Sequence, residues 1–305
     1  MNVALLCTGK MELKALGVAL ARLFPRHAFN TVGSFDAMPG VEAEPLPEFA
    51  SDRVEDKHAL DPASVLRLRI VPKLAGSLVE GYDLVILLSD LELVNMGRAL
   101  HVCDVVKHAV RCHVQTIDPR FAAATELAFR ERASFHLAVP MIESWLFGDP
   151  SVCAKNEVPT GRMPMLETAR DREQFLTADT AYETDEGADC AKLIERACRG
   201  ARRKKAPWVV DRRSEHPKHY LQWLCRDSNE SDCTTWKETK AGAHALSQLD
   251  WKAVLSAQNE YNFLHALVED IADALGESDP FVPVMRVDVP TRLRPRNERA
   301  FLRNQ

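Results

Sequence analysis

Several features that would narrow the reading at once are missing from this chain. No run of about 18 apolar residues occurs, so no membrane-spanning helix and no membrane partner are expected. The opening MNVALLC has neither the basic start nor the small-residue cleavage site of a secretory signal. Eight cysteines, at 7, 103, 112, 153, 190, 198, 225 and 233, include no CxxC pair. The usual zinc and dithiol spacings are therefore absent, and thiols in a reducing compartment are expected. There is no GxxxxGK[ST] loop, no GxGxxG fingerprint and no internal repeat. A net charge of -5 argues against a surface coated in basic groups. These absences together predict a soluble, cytoplasmic protein.

What remains is a chain of 305 residues, 46% hydrophobic and 27% charged, which can bury a sizeable core and is too long for one small domain. Val3 to Cys7 reads as a short buried strand broken by Gly9. Leu13, Leu16, Leu20 and Leu23 then mark one apolar face of a helix from Glu12 that Pro25 stops. Residues 36–61 are rich in Pro, Asp and Glu without a steady period and read as a loop or insertion. Asp61-Pro62 resembles a helix start running toward Val79.

A strand follows Gly81, then a helix from about Gly97 to Arg111. CHVQTID reads as a strand, ATELAFRERA as a helix, FHLAVP as a strand, and MIESWLFGD as a helix closed by Gly148 and Pro150. This alternation predicts an α/β domain over 1–150 with a mostly parallel central sheet flanked by helices. Strand signals fade over 151–287, where a mainly helical C-terminal region is expected, including the amphipathic stretch Asn259 to Gly276. The basic, Pro-interrupted tail 288–305 reads as a peripheral end.

The stretch DLVILLSDLELVNMG, residues 83–97, runs as a buried strand into Asp90 and Glu92. Extended residues two apart face the same side, so if the strand continues through Glu92 both charges meet one spot. Like charges held that close need a cation or a raised pKa. In an open parallel sheet, binding groups collect at the carboxyl ends of the strands, and a second such end is LLCTGKMEL. If the two strands are neighbours, Glu12, Asp90 and Glu92 converge, a set suited to Mg²⁺ or Mn²⁺. The plainer alternative is that each acid caps a helix.

His101, Asp104 and His108 share one helical face, either as ligands of a zinc ion or as the polar side of an amphipathic helix. The stretch Arg196 to Arg213 gathers Arg199, Arg202, Arg203, Lys204, Lys205, Arg212 and Arg213 around Trp208. It is either a solvated helix end or a surface that tracks a phosphate backbone while the aromatic stacks on a base.

The order strand, Gly9 turn with Glu12, helix, and a later strand ending in acid-x-acid resembles a TOPRIM domain. This is the metal-binding fold of primases, topoisomerases and OLD-type nucleases. FHLAVPMIESWLFGDP is similar to the Glu-x-Trp-Leu-x-x-Asp stretch of an uncharacterised TOPRIM-like family related to the OLD nucleases, and HPKHYLQWL and TKAGAHALSQLDW are similar to its later segments. The resemblance implies a TOPRIM/Rossmann-like fold and a Mg²⁺- or Mn²⁺-dependent nuclease, with nucleic acid as partner and DNA ahead of RNA. It also implies a separate ATPase subunit, since the chain has no Walker motif, and a place in phage defence or DNA repair.

A TOPRIM first strand ends in Glu-Gly, whereas here Thr8 precedes Gly9, and Asp90-Leu91-Glu92 replaces the usual Asp-x-Asp. Glu12 is then the nearest replacement ligand. Glu143 or Asp149 completes the set if its helix starts beside the same crevice. Glu143 is otherwise an N-terminal helical acid and Trp145 a core or interdomain anchor. Lys218 either neutralises a scissile phosphate or is an exposed lysine near a helix start. The substitution of Thr8 keeps open a second reading, a catalytically degenerate TOPRIM-like subunit that binds nucleic acid or a partner. A nucleotide-hydrolysing enzyme ranks lower, because no Gly-rich phosphate loop is present.

Overall fold

The computed structural model describes residues 1–35, 70–159, 161–168, 171–184, 213–226, 236–256, 258–278, 287–293 and 301–305. The expected loop at 36–61, the helix start at Asp61-Pro62, and Arg199, Arg202, Arg203, Lys204, Lys205 and Arg212 lie outside these residues. Of Arg213 only the backbone is described, in a 3-10 turn at Arg213–Glu215.

Strand β1 (Asn2–Cys7), helix α1 (Lys10–Leu23) and strand β2 (Ala28–Ser34) form the first unit. They are followed by α2 (Val71–Val79), β3 (Leu84–Asp90), α3 (Ala99–Gln115), α4 (Pro119–Arg132) and β4 (Ala133–Ala138). The four strands form one parallel sheet in the order β2-β1-β3-β4. The chain thus steps from β1 to one side and then crosses back past it to build the other side, leaving a topological switch point between β1 and β3.

Both faces of the sheet are covered, which is why β1 and β3 read as unbroken apolar runs. Val3, Leu5 and Cys7 face α1, while Ala4 and Leu6 face α2 and α3. The remaining helices are α5 (Glu143–Leu146), α6 (Val152–Lys155), α7 (Thr180–Thr184), α8 (Pro217–Leu224), α9 (Ala243–Ser247), α10 (Trp251–Val254) and α11 (Asn262–Leu275). Residues of α5, α8, α9, α10 and α11 join the α1 face of the sheet in one apolar cluster. The C-terminal region is therefore helical where described, and Gly276 closes α11 in a left-handed conformation at φ 65°.

Three sequence readings change. CHVQTID is no strand: α3 runs on to Gln115, because Val106, Val110 and Val114 keep the apolar period of 3.6 on the buried side. β2 carries no strand signal in the sequence: at the sheet edge its residues alternate only between exposed and half-buried, and AFNTVGS shows no matching apolar and polar alternation. The chain end is not peripheral. Arg303 N–H donates to Ala133 O, and the Asn304 side-chain amide exchanges bonds of 3.1 and 2.7 Å with Phe135 N and O. Leu302 and Asn304 are fully buried. These groups complete the free edge of β4 much as another strand would.

Glu173, buried, accepts from Phe263 N and Leu264 N and so caps α11. Burial pushes its carboxyl up to about 8, against the pull of those amides. A folded-state pKa above the ordinary 4.5 means the native state holds a proton that the unfolded chain has released, so stability falls as pH rises from about 4.5 to about 8. Glu173→Gln keeps the acceptor and cannot ionise. Its stability relative to the parent should climb across that window by up to about 1.4 kcal/mol per pH unit. Urea unfolding at pH 5, 6.5 and 8 checks this, and a difference independent of pH would refute it.

Candidate active site at the switch point

The carboxyl ends of β1, β3 and β4 lie side by side in the parallel sheet, where an open α/β fold places its crevice. After β1, Gly9 begins α1, and the Glu12 side chain turns back to accept from Gly9 N at 3.1 Å. A Cβ on residue 9 would lie 2.2 Å from that carboxylate, so glycine is what lets Glu12 fold inward. Glu12 is 2% exposed. Burial pushes it up to about 8, and Glu143 adds to the rise. The helix-capping alternative for Glu12 is thus true, and the same carboxyl also faces the crevice acids.

β3 stops at Asp90. Its N–H donates to Thr8 Oγ1 at 3.1 Å, and its Oδ1 accepts from Ile142 N at 2.9 Å. Thr8 serves as a strut between β1 and β3. Burial holds the Asp90 carboxyl well above the usual range, helped by Glu12, Glu143 and Glu92. The strand does not continue through Glu92, so same-side alternation is not what aims this residue. Leu91 turns into the core, and Glu92 takes φ 63° with its N–H on Pro140 O at 2.8 Å. A left-handed glutamate is strained and persists only where its surroundings enforce it. Burial, then Glu143, raise its pKa, and Lys218 opposes them.

After β4 the chain turns through Pro140 into α5, whose first residue is Glu143, 3% exposed. Lys218, near the start of α8, stands 3.5 Å from Glu143 Oε1 and 2.7 Å from Glu238 Oε2. Burial alone would lower the Lys218 ammonium, but Glu143 and Glu238 raise it above its ordinary value. Each of Glu12, Asp90, Glu92 and Lys218 therefore feels Glu143, in a group where Glu12 and Glu143 are buried and Asp90, Glu92 and Lys218 partly so. Glu238, the fifth carboxylate, was missed: it lies at no strand end and in no spaced motif, and only the packing of the C-terminal region brings it in.

Two other predicted residues are elsewhere. Asp149 accepts from Lys155 Nζ, Ser151 N and Asp250 N, tying α6 to α10, and these bonds lower its pKa although burial opposes them. Trp145 is fully buried in the core. On α3, Asp104 pairs with Lys107 at 3.1 Å and His108 lies 3.5 Å from Cys112 Sγ, while the opposite face of the helix is apolar.

Among the described residues, no three His, Cys, Asp or Glu side chains lie in an arrangement that would hold a metal ion as they stand. Gly9 N–H occupies Glu12, Ile142 N–H occupies Asp90, and Lys218 bridges Glu143 and Glu238. Cys7, Cys103, Cys112, Cys153 and Cys225 are free thiols. No helix among the described residues is long and apolar enough to cross a membrane. No family model, no curated protein and no solved structure matches the chain.

Proposed function

We propose that this chain is a metal-dependent phosphodiesterase acting on nucleic acid, a nuclease on a TOPRIM-like sheet. The observation that carries the reading is the gathering of Glu12, Asp90, Glu92 and Glu143 around Lys218 at the switch point of a parallel sheet. Their chemistry fits a hard divalent cation: the donors are all oxygens, and burial, then the neighbouring acids, raise the pKa values of Glu12, Asp90 and Glu92. Glu12, Asp90, Glu92 and Glu143 would hold Mg²⁺ or Mn²⁺. Such an ion supplies Lewis-acid polarisation of a phosphoryl oxygen and activation of a water.

The chain's own groups do the rest. Thr8 and Ile142 fix the Asp90 backbone and side chain, and Lys218 offers a positive charge for the phosphate. Arg199, Arg202, Arg203, Lys204, Lys205, Arg212 and Arg213 supply charge for holding a strand, with DNA preferred over RNA. A separate ATPase subunit, a role in phage defence or repair and a cytoplasmic setting belong to the same reading through the family resemblance.

Incubating the protein with plasmid, single-stranded DNA and RNA, with Mg²⁺, Mn²⁺ or chelator, tests it. Ion-dependent cleavage is expected, and it should vanish in Asp90→Ala and Glu92→Ala. Cleavage unchanged in both variants removes the assignment. Binding of nucleic acid without cleavage or ion uptake points instead to a catalytically degenerate TOPRIM-like binding subunit, the reading that Thr8 favours.

A further inference from the structure

Glu238 reaches the crevice from the segment WKETKAG. Trp236 is buried with its indole N–H on Asn156 Oδ1 at 2.9 Å. Glu238–Gly242 then forms a π-helical turn, a wide turn that often marks functional positions. Gly242 allows the turn to press on α1, since a Cβ there would lie 2.7 Å from the Trp236 ring and 2.9 Å from Met11 Sδ. So placed, Glu238 Oε1 accepts from Lys10 N at 3.1 Å and Met11 N at 3.3 Å, while Oε2 takes the Lys218 ammonium at 2.7 Å. One carboxylate thus seals the helix start that carries Glu12 and anchors the lysine.

We propose that Glu238 is a positioning residue for the site: as the nearer partner it draws the Lys218 ammonium to itself, so that Glu143 is left more weakly paired and available to a divalent cation. This rests on the cation-dependent reading above. Lys218 already stands 3.5 Å from Glu143. Freed from its closer partner, it closes on that carboxylate and competes with the ion for it. Glu238→Gln keeps an acceptor for the α1 amides and drops the charge that holds the ammonium, whereas Lys218→Met removes the competitor.

A double-mutant cycle on the full chain, with Mn²⁺ titrated by electron paramagnetic resonance, separates this from a structural role. Glu238→Gln should weaken Mn²⁺ binding about tenfold, the range of a supporting group outside the ligands. With Lys218→Met already present, the same change should cost less than about twofold. A crystal structure of Glu238→Gln should show the Lys218 Nζ to Glu143 Oε1 distance shortened from 3.5 Å to about 2.8 Å. Equal losses in both backgrounds, or an unmoved Lys218, overturn the proposal. If the parent protein binds no Mn²⁺, the cation reading falls by itself, and the crystal structure still decides whether Glu238 places Lys218.

Discussion

Asp270→Ala is expected to lower the free energy of unfolding by about 3–5 kcal/mol, the cost of stripping one partner from a buried ion pair. Asp270 lies on α11, fully buried beneath β4, with Oδ2 2.9 Å from His136 Nε2 and Oδ1 2.8 Å from Arg303 Nε. Burial alone would raise its pKa, yet the bond from His136 and the charges of His136 and Arg303 hold the carboxyl below its ordinary value. Alanine leaves the Arg303 guanidinium with Asp273 as its remaining carboxylate partner and loosens the segment that completes the β4 edge. Asp270→Leu combined with Arg303→Met removes the Asp270–Arg303 pair and leaves only His136 without its carboxylate, so it should recover part of the loss, because apolar replacement of a buried pair is often near neutral. Urea denaturation at pH 7 decides the matter: a single-variant loss under about 1 kcal/mol would contradict the ledger of a buried, desolvated pair.

Asp90→Asn is expected to act in the opposite direction on stability while removing the ion-dependent cleavage proposed above. Asparagine keeps an oxygen for Ile142 N and removes a carboxyl that Glu12, Glu143 and Glu92 all repel. In the absence of divalent ions the variant should gain about 0.5–2 kcal/mol, the usual return on relieving a strained functional site. It should also lose Mn²⁺ affinity by more than about 100-fold, since even supporting groups outside the ligand set are worth about 10–100-fold. Thermal unfolding with chelator, paired with a Mn²⁺ titration, reads both quantities. A variant that is less stable than the parent and binds the ion equally well would refute the crowded-carboxylate account of this crevice.

The candidate site was legible where it follows from strand order. Apolar runs ending at Cys7 and Asp90 mark two buried parallel strands, and in a doubly covered sheet their carboxyl ends are where polar groups gather. Glu92 joins the acids at the end of β3 through a turn at φ 63°, not through strand alternation, and that turn carries no signature in the sequence. Glu238 carried no local signal: a glutamate in WKETKAG looks like any exposed helical acid until Gly242 and Trp236 dock the turn on α1. The chain end was misread for a related reason. Arg303 and Asn304 are polar by composition, and only the edge of β4 and the buried Asp270 convert that polarity into an interior role.

Periodicity and burial are local properties of the chain, so the sequence by itself determined the parallel α/β core, the helical C-terminal region and the acids at the ends of β1 and β3. Which distant groups share the low-dielectric crevice with those acids was decided only in three dimensions. Electrostatic coupling depends on separation in space, and no pattern along the chain encodes that Lys218 and Glu238 meet Glu143 beside the switch point.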